Sequence, residues 1–206
     1  MTPAIHGPIP FRVKLRRQSA IISRWLHLYL SMVSFGVVLF FAVTGLTLNH
    51  AEWFAGQVKE TRYSGTMPME WVEGAQPDQL KIVKKLRTAH GIHGAVSDFR
   101  VDDDQIEVSF KGPGYATDTF IDRHKGSYDL TETRNGFVAV LNDLHKGRDA
   151  GKGWAWVIDA SAVLLTLVSL TGLLLLFFVY KRRTSGLILA AAGAVVCWLV
   201  WMKFVP

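Results

Sequence analysis

The sequence predicts an α-helical membrane protein with three transmembrane helices and an extracytoplasmic α+β domain in which short helices pack on an antiparallel sheet. Three observations carry this prediction. There are three long apolar runs without formal charge. Basic residues cluster where the first run begins and where the second passes into the third. The polar stretch from 51 to 153 changes from helical to alternating hydropathy.

Residues 1–25 form a basic N-terminus, with Arg12, Lys14, Arg16, Arg17 and Arg24 and no acid among them. The first span covers 26–50; its Leu26 to Leu48 section has no charge over 23 positions. A secretory signal has a shorter apolar core followed by a small-residue cleavage site, so the run is read as an uncleaved anchor. The second span covers 154–180, with Ala160 to Tyr180 uncharged over 21 positions. The third covers 185–203, with Ser185 to Met202 uncharged over 18, near the lower limit for crossing. Lys181, Arg182 and Arg183 mark the turn at 181–184. By the positive-inside rule the N-terminus and this turn are cytoplasmic and the polar domain lies outside.

Ala51 to Trp156 holds 16 of the 17 acidic residues and a near-balancing set of bases. The net charge of +6 thus comes from anchors beside anionic membrane lipid, and nucleic acid is excluded as a partner. Cys197, the single cysteine, rules out an intrachain disulfide framework. Within the polar domain, Leu80, Ile82, Val83 and Leu86 among lysines predict a helix over 78–90 that Gly91 stops. Alternation predicts strands at 95–101, 105–111, 115–122 and 127–133, split by Asp102-Asp103-Asp104, Gly112-Pro113-Gly114 and His124-Lys125-Gly126. A short helix at 137–145 then leads through Gly147, Gly151 and Gly153 to the membrane.

Three of the seven histidines fall at membrane boundaries. On an unbroken helix His27 and His50 are separated by about 35 Å, more than the hydrocarbon core of about 30 Å, so they mark opposite faces. His145 returns to the face of His50. Imidazoles from two helices can clamp a haem, and ionisable groups at membrane depth are functional candidates; a boundary histidine can equally be an anchor. His27, Ser31, Ser34, Val38, Gly45 and Asn49 form a small and polar stripe that suits a helix contact. Val43-Thr44-Gly45-Leu46 and Leu170-Thr171-Gly172-Leu173 echo one another, and Thr-Gly steps admit close approach by a helix or a flat cofactor. Asp159, the only acid associated with a span, could orient an imidazole, pass a proton, or cap its helix beside Trp154 and Trp156. His90, His93, His124 and the Asp102-Asp104 run are weaker iron-binding candidates, the run reading chiefly as a solvated turn.

Arg24-Trp25-Leu26-His27-Leu28-Tyr29, Thr44-Gly45 followed by Leu48-Asn49-His50, and Leu144-His145-Lys146-Gly147 resemble the PepSY-associated transmembrane proteins, and the middle of the chain resembles a PepSY domain. That family is found in bacterial inner membranes and includes haem-containing reductases of ferric iron and ferric siderophores, so the resemblance implies a multi-pass inner-membrane protein. The resemblance implies haem b, electron transfer towards the periplasm, and His50, His145 and His27 as iron ligands. It implies ferric iron or a ferric chelate as electron acceptor. Larger relatives carry more spans, so a complete ligand set here implies a homodimer. With no nucleotide fingerprint, the electron donor is a separate reductase or a quinol. Some PepSY modules inhibit proteases or act in assembly or regulation, so the competing expectation is a non-enzymatic anchored protein.

Overall fold

The structure, a computed structural model, describes residues 10–74, 76–179 and 183–206. They form two compact units, one of 10–38 with 160–179 and 183–206, and one of the described residues between 39 and 159. Three helices are long and apolar enough to cross a membrane: α1 (Phe11–Asn49), α5 (Gly151–Phe178) and α6 (Arg183–Phe204). The chain is a multi-pass membrane protein. At 1.5 Å per residue, the 39 residues of α1 reach about 58 Å, well beyond a hydrocarbon core. The basic segment from residue 11 to 25 is helical and forms the opening turns of α1. No proline interrupts the run after Pro10, so nothing breaks the backbone ladder. Of the expected cytoplasmic turn, Lys181 and Arg182 lie outside the described residues, and Arg183 opens α6.

In the second unit, β1 (Lys59–Thr66), β2 (Ala95–Val101), β3 (Gln105–Gly112), β4 (Tyr115–Asp122) and β5 (Ser127–Arg134) form one antiparallel sheet in the order β1-β5-β4-β3-β2. Four strands match the expectation to within a residue at their ends. β1 was not anticipated. As an edge strand it leaves Lys59, Glu60 and Arg62 exposed and so lacks the apolar alternation that betrays its neighbours.

The helix α3 (Gln79–His90) covers one sheet face, burying Ile82 and Leu86 against Ile106, Val108, Phe110, Ile121 and Leu130. Asp78 caps it by accepting from the Lys81 amide at 3.0 Å, and Gly91 ends it in the left-handed conformation that glycine adopts without strain. Leu80, expected on the buried face, is 79% exposed, because the turn that buries Ile82 and Leu86 points it outward. A short α2 (Met69–Val72) places Trp71 at the rim of this core. The last helix before the membrane, α4 (Phe137–Lys146), ends at Gly147, also left-handed.

Candidate functional site

His145 sits in the last turn of α4, which is tied to its surroundings at several points. Thr47 donates to the Asn142 carboxamide oxygen at 2.7 Å, and the Trp154 indole donates to the Leu144 carbonyl at 2.8 Å. Trp154 thus satisfies one of the orphan carbonyls at a helix end. These ties set His145 against α1. Its Nδ1 lies 2.6 Å from the Thr44 hydroxyl, and the edge of Phe41 meets the ring at 5.0 Å. Buried Thr44 donates its own proton to the Phe40 carbonyl at 2.6 Å, so towards His145 it accepts. Nδ1 therefore carries the ring proton. Nε2 has no hydrogen-bond partner among the described residues.

His27, in the other unit, repeats the device. Its Nδ1 lies 3.2 Å from the Val168 carbonyl and 3.0 Å from the Thr171 hydroxyl, which itself donates to Leu167 at 2.8 Å. A carbonyl only accepts, so here too Nδ1 is the donor. Gly172 supplies the clearance: a Cβ there would lie 3.0 Å from the His27 Cε1, whereas one at Gly45 would lie 3.6 Å from the His145 Cε1. Each member of the sequence echo is thus a seat for one histidine. Thr44-Gly45 receives His145 and Thr171-Gly172 receives His27. The Thr partners were not singled out as individual site residues, although the repeated Thr-Gly pair was their signal.

His50 immediately follows α1, where the chain turns into a 3-10 helix, and stacks flat on Trp53 at 4.1 Å. Its Nδ1 faces the Glu52 carboxylate at 3.4 Å, longer than a normal hydrogen bond but on the same nitrogen as in the other two. The other described histidines differ. His90 and His124 use Nε2, towards the Tyr128 hydroxyl at 2.9 Å and Asp104 at 3.0 Å, and His93 is exposed. The three boundary histidines hold Nδ1 and leave Nε2, the arrangement in which an imidazole ligates a metal while an outer partner fixes its ring. As nitrogen donors they suit iron chemically.

The small-residue stripe on α1 is rotated from its expected line. Ser34 and Thr44 are buried, whereas Val38 and Asn49 are exposed, because the contact face is set by the seats of His27 and His145. Asp159 is exposed within α5, eight residues past the helix start, so it caps nothing. It makes no hydrogen bond to a described histidine. The Asp102-Asp104 run is a turn held by its neighbours, with Asp102 paired to Arg100 and Asp104 to His124. Among the described residues no three His, Cys, Asp or Glu side chains gather to hold a metal ion.

Among known proteins, the chain matches the family described as PepSY_TM-like over residues 21–206, which takes in most of α1, the whole α+β domain, α5 and α6. No curated protein and no solved structure matches it.

Proposed function

Because this chain belongs to the PepSY_TM-like family, we propose that it is a haem b membrane oxidoreductase that passes single electrons to ferric iron, free or chelated. On this reading the N-terminus is cytoplasmic, the α+β domain is periplasmic, and the electrons come from a separate reductase or a quinol. His50 and His145 would hold the haem iron in the unit that carries the sheet, and His27 would do so in the other. The observation that supports this most is the shared use of Nδ1 at the three boundary histidines, with Nε2 left free. When bound, haem supplies a one-electron iron couple. The protein's own part is to hold each Nδ1 proton, on Thr44, on Val168 with Thr171, and on Glu52, so that the rings keep one tautomer and one orientation.

His27 is the only histidine among the described residues of its unit. A second ligand there comes from a second copy, which makes the working unit a homodimer. The absorption spectrum of the purified protein tests the whole reading. Bands that sharpen on dithionite reduction, decay on adding a ferric chelate, and weaken in His145→Ala and His27→Ala are expected. A colourless protein made with ample haem sinks it.

One observation favours a second reading. The His27 ring already contacts Gly172 and Thr171 directly, so a helix-locking role accounts for it without a cofactor. In that case the chain is a non-enzymatic anchor for the α+β domain, and the colourless protein is its expected outcome.

A further inference from the structure

The 3-10 helix Ala51–Gln57 and the start of α4 border a cavity of about 190 Å³ inside the unit that carries the sheet. Phe54, Val58 and Val138 give it apolar walls, Gln57, Asn135 and Asn142 give it carboxamides, and no charged side chain lines it among the described residues. Two features distinguish it from a packing defect. The first is a free donor. Asn142 is 8% exposed and accepts through Oδ1 from Thr47, while its Nδ2 has no hydrogen-bond partner among the described residues. Yet Nδ2 is not sealed in, since among those residues the fully enclosed side-chain polar atom without a partner is the Thr119 hydroxyl. The Nδ2 protons are therefore reached from open space, and the cavity is the open space that Asn142 borders.

The second feature is an uncapped helix end. Gly136 precedes α4 and has no side chain to cap it, and Gln57 packs so closely there that a Cβ on Gly136 would lie 2.7 Å from the Gln57 Cβ. The amides of Phe137 and Val138 make no hydrogen bond among the described residues. They are orphan donors at the end of α4 that the cavity adjoins. Donors without a cation suit a carbonyl oxygen better than a carboxylate or phosphate, because an anion buried without a counter-charge loses its hydration unrepaid. Carboxamides both donate and accept, so the same groups serve a carbonyl and the hydroxyl formed from it. The volume lies below the roughly 300 Å³ at which ligand sites generally begin, so it suits a small ring system and excludes a bulky metal chelate. Its place is beside two boundary histidines: Ala51, which lines it, follows His50, and Asn142 precedes His145 by about one turn of α4.

We propose that this cavity binds the headgroup of a quinone or quinol, and that, resting on the reading of the protein as a haem oxidoreductase, it seats the quinol that supplies the electrons. The overall step balances as one quinol and two ferric ions giving one quinone, two ferrous ions and two protons. Both quinol O–H bonds break, and the protons pass to water.

Calorimetric titration of the full-length protein in detergent with decylubiquinone tests the site. Decylubiquinone should bind, and decylbenzene, the same tail on a ring without oxygens, should bind at least about tenfold more weakly. Val58, 48% exposed, can carry a larger side chain that fills the cavity without disturbing a core. Val58→Trp should therefore keep the parental unfolding temperature and lower the affinity about tenfold or more. Asn142→Asp, which keeps an acceptor for Thr47 and removes the free donor, should lower it similarly. Equal affinity for the two probes, or indifference to either variant, overturns the proposal. So does displacement of decylubiquinone by decanoate at comparable concentration, because the site would then recognise an anion. A protein without haem bands that binds decylubiquinone in this pattern defeats the oxidoreductase reading and leaves the site standing, whereas haem bands in a protein that fails these binding tests remove the site and leave that reading. Where haem bands are present, decylubiquinol and a ferric chelate should give two ferrous ions per quinol consumed, more slowly in Val58→Trp. An unchanged rate in that variant overturns the donor role.

Discussion

The Thr44 hydroxyl lies 2.6 Å from Nδ1 of His145 while donating its own proton to the Phe40 carbonyl. It is therefore an acceptor aimed at one nitrogen of one histidine, and its removal leaves a donor without a partner in a half-buried setting. Thr44→Val keeps the shape and deletes the acceptor. We expect a loss of about 1–2 kcal/mol in stability, read as a lower unfolding temperature in detergent, with Thr44→Ser restoring most of it. On the haem reading the same variant should also alter the absorption bands or lower haem per chain. A Thr44→Val protein equal to the parent in stability and spectrum would show that the contact orients nothing.

The two glycine seats should differ when a methyl group is added. At Gly172 the new Cβ meets the His27 Cε1 at 3.0 Å, tighter than ordinary packing allows, whereas at Gly45 the contact with His145 is an ordinary 3.6 Å. Gly172→Ala must push the His27 ring or separate α1 from α5. Gly45→Ala adds contact and improves helix propensity. The expected order of unfolding temperature is Gly45→Ala at or above the parent and Gly172→Ala below it. The reverse order would mean that the seats do not hold the rings as described.

Gly65 on β1 lies beneath the ring of Tyr128, and a Cβ there would meet the tyrosine Oη at 2.5 Å and Cζ at 2.6 Å. Tyr128 is buried and has little room to yield. Gly65→Ala is expected to cost about 1–3 kcal/mol by overpacking. In a Tyr128→Leu background the same substitution should cost much less, since the opposing ring is gone. A thermal-unfolding double-mutant cycle reads the coupling directly, and additive effects would contradict it.

How much of this was legible in the sequence follows from which signals are local. The spans, α3 with its Asp78 and Gly91 ends, and four strands each carry their own periodicity or cap, so they were read closely. β1 escaped because an edge strand can be polar on both faces. Basic residues mark orientation and say nothing about where a helix begins, so the extension of α1 to Phe11 has no signal in the charge pattern. At the site, the boundary histidines stood out by type and position. Their partners did not, since Thr44 and His145 are 101 residues apart and only folding shows which nitrogen each histidine uses. Asp159 stood out for the opposite reason: an acid near a span draws notice, yet here it lies on an exposed helix face.

The final prediction concerns His90. From α3 itself Lys85 adds positive charge near this ring; Tyr63 of β1 packs on it at 4.9 Å; Tyr128 of β5 meets its Nε2 at 2.9 Å, and Glu132 of β5 supplies negative charge. Burial is the largest effect and depresses the His90 pKa below its ordinary 6.5; Lys85 acts in the same direction and Glu132 opposes both. The folded state thus prefers the neutral ring more than the unfolded chain does. Between the ordinary and the depressed values the unfolded chain binds more protons, so stability rises with pH across that window. The contribution is complete above about 6.5 and is lost as pH falls through the folded value. Asp78 and Asp122 do not contribute there, because backbone amides hold both below their ordinary 3.8. Unfolding temperatures of the parent and of His90→Gln, measured from about pH 7.5 to 5.5, should converge as the solution is acidified, since only the parent gains a proton on this ring when it unfolds. Curves that stay parallel over that range would mean that His90 is not the titrating group.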